Sequence, residues 1–262
     1  MTSIGNHIGI LPSVDSSNNY AMQQIHAGMA VHGQVWMALE QTQGKGQRGK
    51  EWKANAGENL MISVVLETGN LTIDQQFRLS ATVAVAVHDF FSQYAGEQVF
   101  IKWPNDLYWR DRKAGGILIE NVIGATVQEI TDDSRISAGS GTWKWSVVGI
   151  GININQIDFP EHLTKAVSLA QITSKRHDLL ELVKVLCARL ELYWQQLDNG
   201  GWMAIYQQYQ QHLYKKGFPV RLRKKNVVMP CTIRGVSEEG RLLIIEDEAV
   251  SFGFGEVAWE IG

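Results

Sequence analysis

The chain has 262 residues, of which 45% are hydrophobic and 19% are charged, a composition typical of a globular protein with a sizeable core. Its formal net charge of −3 argues against a protein that binds nucleic acid through its overall charge, and leaves room only for a local basic patch. No stretch approaches the roughly 18 apolar residues of a membrane span, and the N-terminus lacks the features of a signal peptide, so we expect a cytoplasmic protein.

Strand-like and helical segments follow one another over the first two hundred residues. Asp15, Ser16 and Ser17 are good N-cap residues for the short helical pattern that comes after them. A broad apolar stripe over residues 74–94 predicts a long helix, and so does the pattern over residues 177–197. Further segments predicted from the pattern are strands at residues 34–41, 59–67, 99–103, 116–122 and 146–153, a loop at 131–141, and a helix at 202–213.

The sequence pattern changes at Gly217, from helical periodicity to short β-type runs. From Phe218 onwards, short β-type runs (PVRLR, MPCTIRGV, RLLIIE, VSFGF) alternate with turn residues, a spacing typical of a small β-barrel. We therefore predict two domains, a larger one over residues 1–215 and a smaller one over residues 216–262. The mixture of strands and helices in the first part predicts an α+β fold with a mixed sheet, since strands and helices do not alternate regularly.

One stretch, GKGQRGKEW at residues 44–52, matches the G-x-G-x-x-G pattern of dinucleotide-binding folds. That fingerprint needs a strand before the glycines and a helix that opens at them, so that the pyrophosphate meets the helix N-terminus. Here EWKANAGENL follows, with Gly57 and two asparagines, and then another strand begins. The stretch is therefore a β–β connection, and the dinucleotide interpretation is rejected.

The same connection carries Lys45, Arg48, Lys50 and Lys53 beside Trp52. Glycines let a backbone approach an anion closely, the cations add charge-assisted hydrogen bonds to phosphate, and a tryptophan offers a flat apolar face. A hairpin loop with ordinary surface lysines is the alternative, and the loop alone does not decide between them.

Three other segments also carry residues that suit a ligand site. KWPNDLYW, at residues 102–109, places Lys102, Asn105 and Asp106 around a rigid Pro after a strand, which suits a metal or ligand-amide site or, alternatively, a plain Asn-Asp turn. KAGGILIE, at residues 113–120, puts Lys113 before two glycines that open a strand. GIGININ, at residues 149–155, ends a strand with glycines and asparagines, and tight packing is the alternative explanation for both.

Taken together and in this order, the segments resemble those of the biotin protein ligases (biotin–[acetyl-CoA-carboxylase] ligases), in the form without an N-terminal DNA-binding domain. The motifs that carry the resemblance are DSSN at residues 15–18, GKGQRGKEW, KWPND, KAGGILIE and GIGININ. KWPND followed by K-x-G-G-I-L is the most specific part, and the resemblance covers nearly the whole chain.

The resemblance implies a mixed β-sheet with flanking helices, like that of class II aminoacyl-tRNA synthetases, and a small SH3-like C-terminal barrel. It implies a reaction in two steps, with ATP and biotin as substrates and Mg²⁺ as the expected ion. The biotin carboxylate attacks the α-phosphate of ATP to give biotinyl-5′-adenylate and pyrophosphate, and a lysine of a biotin carboxyl carrier domain then attacks the adenylate. No protein nucleophile is needed, so positioning and electrostatics carry the catalysis.

The resemblance also implies roles for individual residues. Lys113 corresponds to the lysine that meets the biotin carboxylate and the α-phosphate, and it acts with Arg48 and Lys50 as a catalytic residue. Asp106 corresponds to a residue at the nucleotide and metal site, and is the implied metal ligand. Residues implied at the biotin site are Ser16, Ser17, Asn18, Gln41, Gly44, Lys45, Gly46, Gln47, Lys113, Gly115 and Gly116, and those implied at the nucleotide site are Arg48, Lys50, Trp52, Asn105 and Asn153.

The chain departs from the family pattern in the glycine-rich loop, where arginines are common at the positions of Lys45, Gln47 and Lys50. Lysine keeps the charge but loses the bidentate fork, and glutamine loses both. We therefore expect looser retention of the adenylate, which free biotinyl-adenylate released without carrier would measure. We also expect the loop to close as a lid over bound ligand.

Parts of the sequence are also compatible with three other functions. Lipoate–protein ligase uses the same adenylation and transfer logic, although KWPND and the GKGQRG loop favour biotin. A biotin-sensing repressor needs a DNA-binding module, and residues 1–14 are too few for one, so no specific DNA binding is expected. A non-catalytic partner-binding module explains residues 217–262 but not the motifs before them. Homodimerisation is common in the family and the sequence does not decide it.

Overall fold

The computed structural model describes residues 2–124, 142–247 and 250–260. Its larger sheet has seven strands in the order β1-β2-β3-β7-β6-β5-β4. β1 runs parallel to β2, and every other neighbouring pair is antiparallel, so the predicted mixed sheet is confirmed. The strands are β1 Ile8–Leu11, β2 Val35–Ala38, β3 Leu60–Glu67, β4 Val99–Lys102, β5 Asp106–Trp109, β6 Arg112–Gly124 and β7 Thr142–Ile152.

Helices cover both faces of this sheet. They are α1 Ser17–His26, α2 Gln76–Ala95, α3 Leu169–Thr173, α4 Leu179–Asp198 and α5 Trp202–Gln211. In β3 the side chains of Ile62 and Val64 join the large core with α2 and α4, whereas Val65 joins a smaller apolar cluster with Ala21 of α1. Because successive side chains of a strand point to opposite faces, α1 lies on the face opposite to α2 and α4.

The pattern predicted the long elements at nearly the observed positions and missed two short strands of the seven-stranded sheet. β1 is four residues long and contains a glycine, so its apolar alternation is too short to be recognised. β5 begins at Asp106, directly after the cis Trp103–Pro104 turn, where the sequence indicated only a turn. The loop predicted at residues 131–141 lies outside the described residues.

A second, antiparallel sheet of five strands follows, in the order β11-β10-β9-β8-β12. Its strands are β8 Pro219–Lys224, β9 Val227–Val236, β10 Leu242–Ile244, β11 Ser251–Phe252 and β12 Ala258–Trp259. The indole Nε1 of Trp103 donates to the carbonyl of Gly240 at 2.9 Å, and the hydroxyl of Tyr206 donates to the carbonyl of Val236 at 2.6 Å. These bonds join the second sheet to the first part of the chain.

Within the described part of the chain, none of the helices combines the length and the hydropathy that crossing a membrane requires.

Candidate active site

A cavity of about 840 Å³ opens between the seven-stranded sheet and the second sheet, a size within the range of small-molecule sites. All the sequence-predicted site residues line it except Gly44 and Gly115. Gly44 lies at the base of the glycine-rich loop, where its carbonyl accepts from the amide of Trp52. Gly115 is paired inside the sheet, where an added Cβ would stand 2.7 Å from the carbonyl oxygen of Gly151.

The cavity lining is strongly cationic. The described lining has seven basic side chains and two carboxylates, Glu51 and Asp106, and a third carboxylate, Glu120, lies beside Lys45, although the chain as a whole carries a net charge of −3. Concentrating cations in a concave, partly desolvated site raises the local concentration of anions and strengthens their binding. The basic residues are Lys45, Arg48, Lys50, Lys53, Lys102, Lys113 and Lys165.

One end of the cavity is a buried polar network at the start of α1. Both the backbone amide and the hydroxyl of Ser17 donate to Oε1 of Gln41, at 2.7 and 3.0 Å. Asn18 is only 3% exposed, and its amide donates to Oε2 of Glu120 at 2.7 Å. Because these side chains are held by one another, they present donors and acceptors in a fixed arrangement, which suits a small polar head group.

Two members of this network, Ser63 and Glu120, were not among the predicted site residues. The hydroxyl of Ser63 donates to Oδ1 of Asn18 at 2.6 Å and lies 2.8 Å from the hydroxyl of Ser17. A small polar residue inside the apolar run LMISVVLE is a signal that the sequence offered, since a fully buried hydroxyl needs a partner. Glu120 ends the KAGGILIE segment, and its carboxylate also reaches Lys45 at 3.6 Å.

Two glycines of β7 make room for the site. An added Cβ at Gly149 would lie 2.9 Å from both Cγ and Nδ2 of Asn18 and closer still to its Oδ1. At Gly151 it would lie 2.7 Å from the indole of Trp52. The glycines of GIGININ are therefore explained by close approach of ligand-facing side chains rather than by a turn.

The other end of the cavity is built from the β4–β5 hairpin and the start of β6. Lys113 Nζ lies 2.6 Å from Oδ1 of Asp106, and Lys102 Nζ lies 4.0 Å from Oδ2 of the same carboxylate. Gly116 pairs with Asp106 across the strands, and an added Cβ there would stand 3.3 Å from the Asp106 carboxylate and 3.4 Å from Lys113 Nζ. This corner thus combines two ammonium groups with one carboxylate.

Three predicted nucleotide residues also line the cavity: Trp52, Asn105 and Asn153. Asn105 and Asn153 are buried; the Asn105 amide donates to the carbonyl of Ile117, and the Asn153 amide donates to that of Val167 at 3.2 Å. The ring of Trp52 covers Gly151. Its indole N–H is buried and has no hydrogen-bond partner within the described residues, so it is available as a donor to a ligand.

The glycine-rich loop forms one wall of the cavity. It is a tight hairpin, in which the amide of Gly46 donates to the carbonyl of Lys50 at 2.6 Å. Gln47 donates to the carbonyl of Ile117 at 3.3 Å, which joins the loop to β6. Arg48 adopts a left-handed backbone conformation with φ of 57°, and its guanidinium donates to the carbonyl of Gly255 at 3.0 Å.

The contribution of the second sheet to the cavity was not predicted. Residues 254, 255 and 257–259 line it, and nothing in the local pattern of a β-rich C-terminal segment indicates such a role. Lys102, quoted in a motif but given no role, lies in the same corner. Its burial is the main cause that lowers its pKa to about 8; the cations Lys113 and Lys50 act in the same direction and Asp106 opposes them.

The chain was compared with known families and proteins. The profile of the biotin/lipoate A/B protein ligase family matches residues 10–131. A bifunctional ligase/repressor BirA of Escherichia coli K12 is 27% identical over 250 residues, which cover 93% of this chain and 70% of that protein. A biotin–[acetyl-CoA-carboxylase] ligase of Paracoccus denitrificans is also 27% identical, over 90% of this chain and 92% of the relative.

Among solved structures, the biotin protein ligase of Aquifex aeolicus in complex with biotin and ATP superposes with a TM-score of 0.78. The match covers 98% of this chain and 100% of the other, at 22% sequence identity. At that identity the match establishes that the two chains share a fold, including the arrangement of a mixed sheet followed by a smaller antiparallel one.

Proposed function

We propose that this chain, whose residues 10–131 match the model of the biotin/lipoate A/B protein ligase family, is a biotin protein ligase. It activates biotin with ATP to biotinyl-5′-AMP and transfers the biotinyl group to a lysine of a biotin carboxyl carrier protein. The Paracoccus denitrificans relative, which matches over nearly its whole length, bears the name of that activity. Four of the motifs that carry the resemblance meet at one cavity, and the fifth, DSSN, supplies its polar end.

The observation that carries the proposal is the division of the cavity into a polar end and a cationic corner. Biotin carries a carboxylate and ATP carries a triphosphate, so the reaction brings two anions together. Seven cationic side chains around one cavity offset that repulsion and stabilise the charge that develops at phosphorus.

We assign the biotin head group to the polar end. Ser16, Ser17, Asn18 and Gln41 all line the cavity there. The Ser17–Gln41 and Asn18–Glu120 hydrogen bonds hold three of these side chains ready for a ureido-type ligand with both donors and acceptors. Gly116 keeps the wall open toward Lys113. The biotin tail then runs along β6 toward the Lys113 ammonium, which receives the carboxylate.

The α-phosphate of ATP belongs at the corner between Lys113 and the glycine-rich loop. There the biotin carboxylate oxygen attacks phosphorus, the bond to the bridging oxygen breaks, and pyrophosphate leaves. Arg48 and Lys50 lie on the loop side of the cavity and offset the charge of the phosphates. The adenine lies on Trp52, near Asn153 and on the cavity side of Asn105.

A magnesium ion accompanies ATP in reactions of this class, and the described residues do not by themselves form a protein-held site for it. Each oxygen of Asp106 faces an ammonium group. The described residues contain no group of three or more histidine, cysteine or acidic side chains that would bind a metal. Asp106 as a metal ligand therefore stays a prediction, and no step of the reaction is assigned to the ion.

In the second step, the deprotonated amine of the acceptor lysine attacks the acyl carbon of the adenylate and AMP leaves. The second sheet, which we infer to be the SH3-like domain of residues 216–262, forms part of the cavity wall. It therefore lies where an incoming carrier domain delivers its lysine. Cytoplasmic location and absence of specific DNA binding stay predictions, and the sequence left the oligomeric state undecided.

The test is ATP-dependent transfer of radiolabelled biotin to a purified carrier domain, with labelled lipoate and a lipoate acceptor domain in a parallel reaction. We expect biotin transfer and biotin-dependent exchange of pyrophosphate into ATP. The family profile includes lipoate ligases, so transfer of lipoate with no transfer of biotin would overturn the assignment of substrate. Absence of exchange with either acid would overturn the proposed reaction.

A further inference from the structure

Arg48 joins the glycine-rich loop to the second sheet. Its guanidinium donates to the carbonyl of Gly255 at 3.0 Å, although the two residues are 207 positions apart in the chain. The backbone of Arg48 has a φ of 57°, a left-handed conformation that is unfavourable for a residue with a side chain and persists where surrounding contacts determine it. The bond to Gly255 is such a contact.

Gly255 is suited to this contact in two independent ways. Its φ is 83°, in the region that glycine adopts without strain. An added Cβ would also stand 2.9 Å from Cζ of Arg48, so a side chain at this position would displace the guanidinium. Gly255 lines the cavity and belongs to the turn at residues 253–256, which joins β11 to β12.

That turn is held on two sides. The amide of Glu256 donates to the carbonyl of Gly253 at 3.1 Å, and the carboxylate of Glu256 accepts from the amide of Gly253 at 2.9 Å and lies 3.6 Å from the guanidinium of Arg241. The ring of Phe254 packs edge-on against Trp103 of the first part of the chain, with 6.5 Å between the ring centroids. The turn is therefore braced against both sheets and offers the loop a fixed acceptor.

The contact leaves most of the guanidinium free for a ligand. An arginine has five N–H donors in a planar fork, and the Gly255 carbonyl takes a donor of one terminal nitrogen only. Arg48 is the only arginine in GKGQRGKEW, so the one group of the loop that can bind a phosphate in a bidentate manner is the group that the second sheet holds. The other anchor of the loop is separate, since Gln47 donates to the carbonyl of Ile117 at 3.3 Å.

We propose that the turn at residues 253–256 holds the glycine-rich loop over the nucleotide, and that Gly255 is the positioning residue that fixes Arg48 toward the phosphates. This inference rests on the proposed function. A loop that is anchored before ATP arrives loses less conformational freedom on binding. The same anchor keeps the loop over the adenylate between the two steps, so the second sheet contributes to retention of the intermediate.

Gly255→Ala tests the role of the turn. The added methyl group displaces Arg48, so KM for ATP in biotin-dependent pyrophosphate exchange should rise by about three- to tenfold, the value of one hydrogen bond. KM for biotin should stay within about twofold, roughly the limit of a significant change, because the Gln47–Ile117 anchor is untouched. Release of free biotinyl-5′-AMP in the absence of a carrier domain should rise by about the same factor as KM for ATP.

Gly217→Ala is the matched control. Gly217 has a φ of 77° and, among the described residues, no atom lies within 4 Å of an added Cβ beyond its chain neighbours. It is also outside the cavity lining, so this variant has the same backbone strain without the clash, and its kinetic constants should equal those of the wild type. Glu256→Ala loosens the turn without adding an atom beside Arg48, and should shift KM for ATP in the same direction as Gly255→Ala. Thermal midpoints verify that each variant is folded.

A double-mutant cycle decides whether Gly255 acts through Arg48. In an Arg48→Ala background, Gly255→Ala should change KM for ATP by less than about twofold, since the group that it displaces is absent. An equal change in both backgrounds would show that the inference is wrong.

A second measurement does not depend on catalysis. Trypsin cleavage after Arg48 in the free protein, followed by mass spectrometry, reports how often the loop leaves the turn. Cleavage should be about threefold faster or more in Gly255→Ala than in Gly217→Ala, by the same hydrogen-bond argument, and equal rates would overturn the inference. If wild-type exchange is itself absent, it is the proposed function that fails, and the cleavage rates still decide whether the turn holds the loop.

Discussion

Gly149→Ala is a sharp test of how the polar end of the cavity is built. Gly149 lies in β7 between Ser63 of β3 and Leu118 of β6, so its backbone cannot move aside without disturbing both neighbouring strands. An added methyl group would stand 2.9 Å from Cγ and Nδ2 of Asn18 and nearer still to Oδ1. Asn18, which is buried and held by Ser63 and Glu120, is the side chain that must give way.

The expected cost has two parts. Overpacking a core by one methyl group costs about 1–3 kcal/mol. Displacing Asn18 leaves its buried hydrogen-bond partners unsatisfied, which costs about 1–3 kcal/mol more. Replacing a glycine by alanine inside a strand has the opposite effect and stabilises the fold by roughly 0.5–1 kcal/mol. We therefore expect a net loss of about 3 kcal/mol in the free energy of unfolding. For a chain of this size that lowers the melting temperature by about 6–12 °C.

A double-mutant cycle decides whether Asn18 is the cause. The free energy of unfolding is measured in denaturant for Gly149→Ala in the wild-type background and again in the Asn18→Ala background. Removing the Asn18 amide vacates the space, so in that background the second substitution should cost less than about 0.5 kcal/mol. An equal cost in both backgrounds would refute the account, because the strain would then lie in the sheet and not at the cavity.

Three further predictions concern other parts of the molecule. Lys113→Ala should abolish biotin-dependent pyrophosphate exchange while the melting temperature stays within a few degrees, roughly as for other partly exposed lysines; near-normal exchange would remove Lys113 from its assigned role. Gly151→Ala, whose Cβ would stand 2.7 Å from the Trp52 indole, should displace that ring and raise KM for ATP more than KM for biotin, and equal changes in both would contradict the placement of adenine on Trp52. Burial, with a smaller effect of the nearby His212, lowers the pKa of His88 to about 4. The unfolded chain therefore binds the extra proton first as pH falls below about 6.5, and stability should drop by up to about 3 kcal/mol between pH 6.5 and pH 4. The free energy of unfolding, measured in urea at several pH values in this range, should depend less steeply on pH for His88→Gln than for the wild type. An unchanged pH dependence would locate the acid sensitivity elsewhere.

The sequence was sufficient for those parts of the fold whose signal is local. The long apolar stripes of α2 and α4 and the unbroken apolar run of β3 appear at the predicted positions, because burial of one helix face or of a whole strand leaves a periodic pattern in the chain. Rejection of the dinucleotide fold was equally local: the glycines include only a short 3₁₀ turn, Gln47–Gly49, and no helix follows it before β3 begins. Short strands leave no such pattern, and β1 and β5 were missed.

The residues of the candidate site also fall into those that the sequence predicted and those that only the structure revealed. Motif residues such as Lys113, Asn18 and Trp52 could be named in advance, because the motifs that contain them resemble those of the biotin protein ligases. Ser63 and Glu120 became site residues only through contacts with Asn18 across the sheet, and their own context shows at most that a polar group is buried there.

The sequence by itself predicted the class of fold and a cationic loop of a kind that suits anionic ligands. Only the tertiary structure decided that Asp106 is shared by Lys113 and Lys102, and that Trp259, more than 150 positions after Lys102, covers the second lysine. The physical reason is that charge pairing and desolvation depend on distances through space. Those distances are set when the second sheet packs against the first, and no local pattern in the chain encodes them.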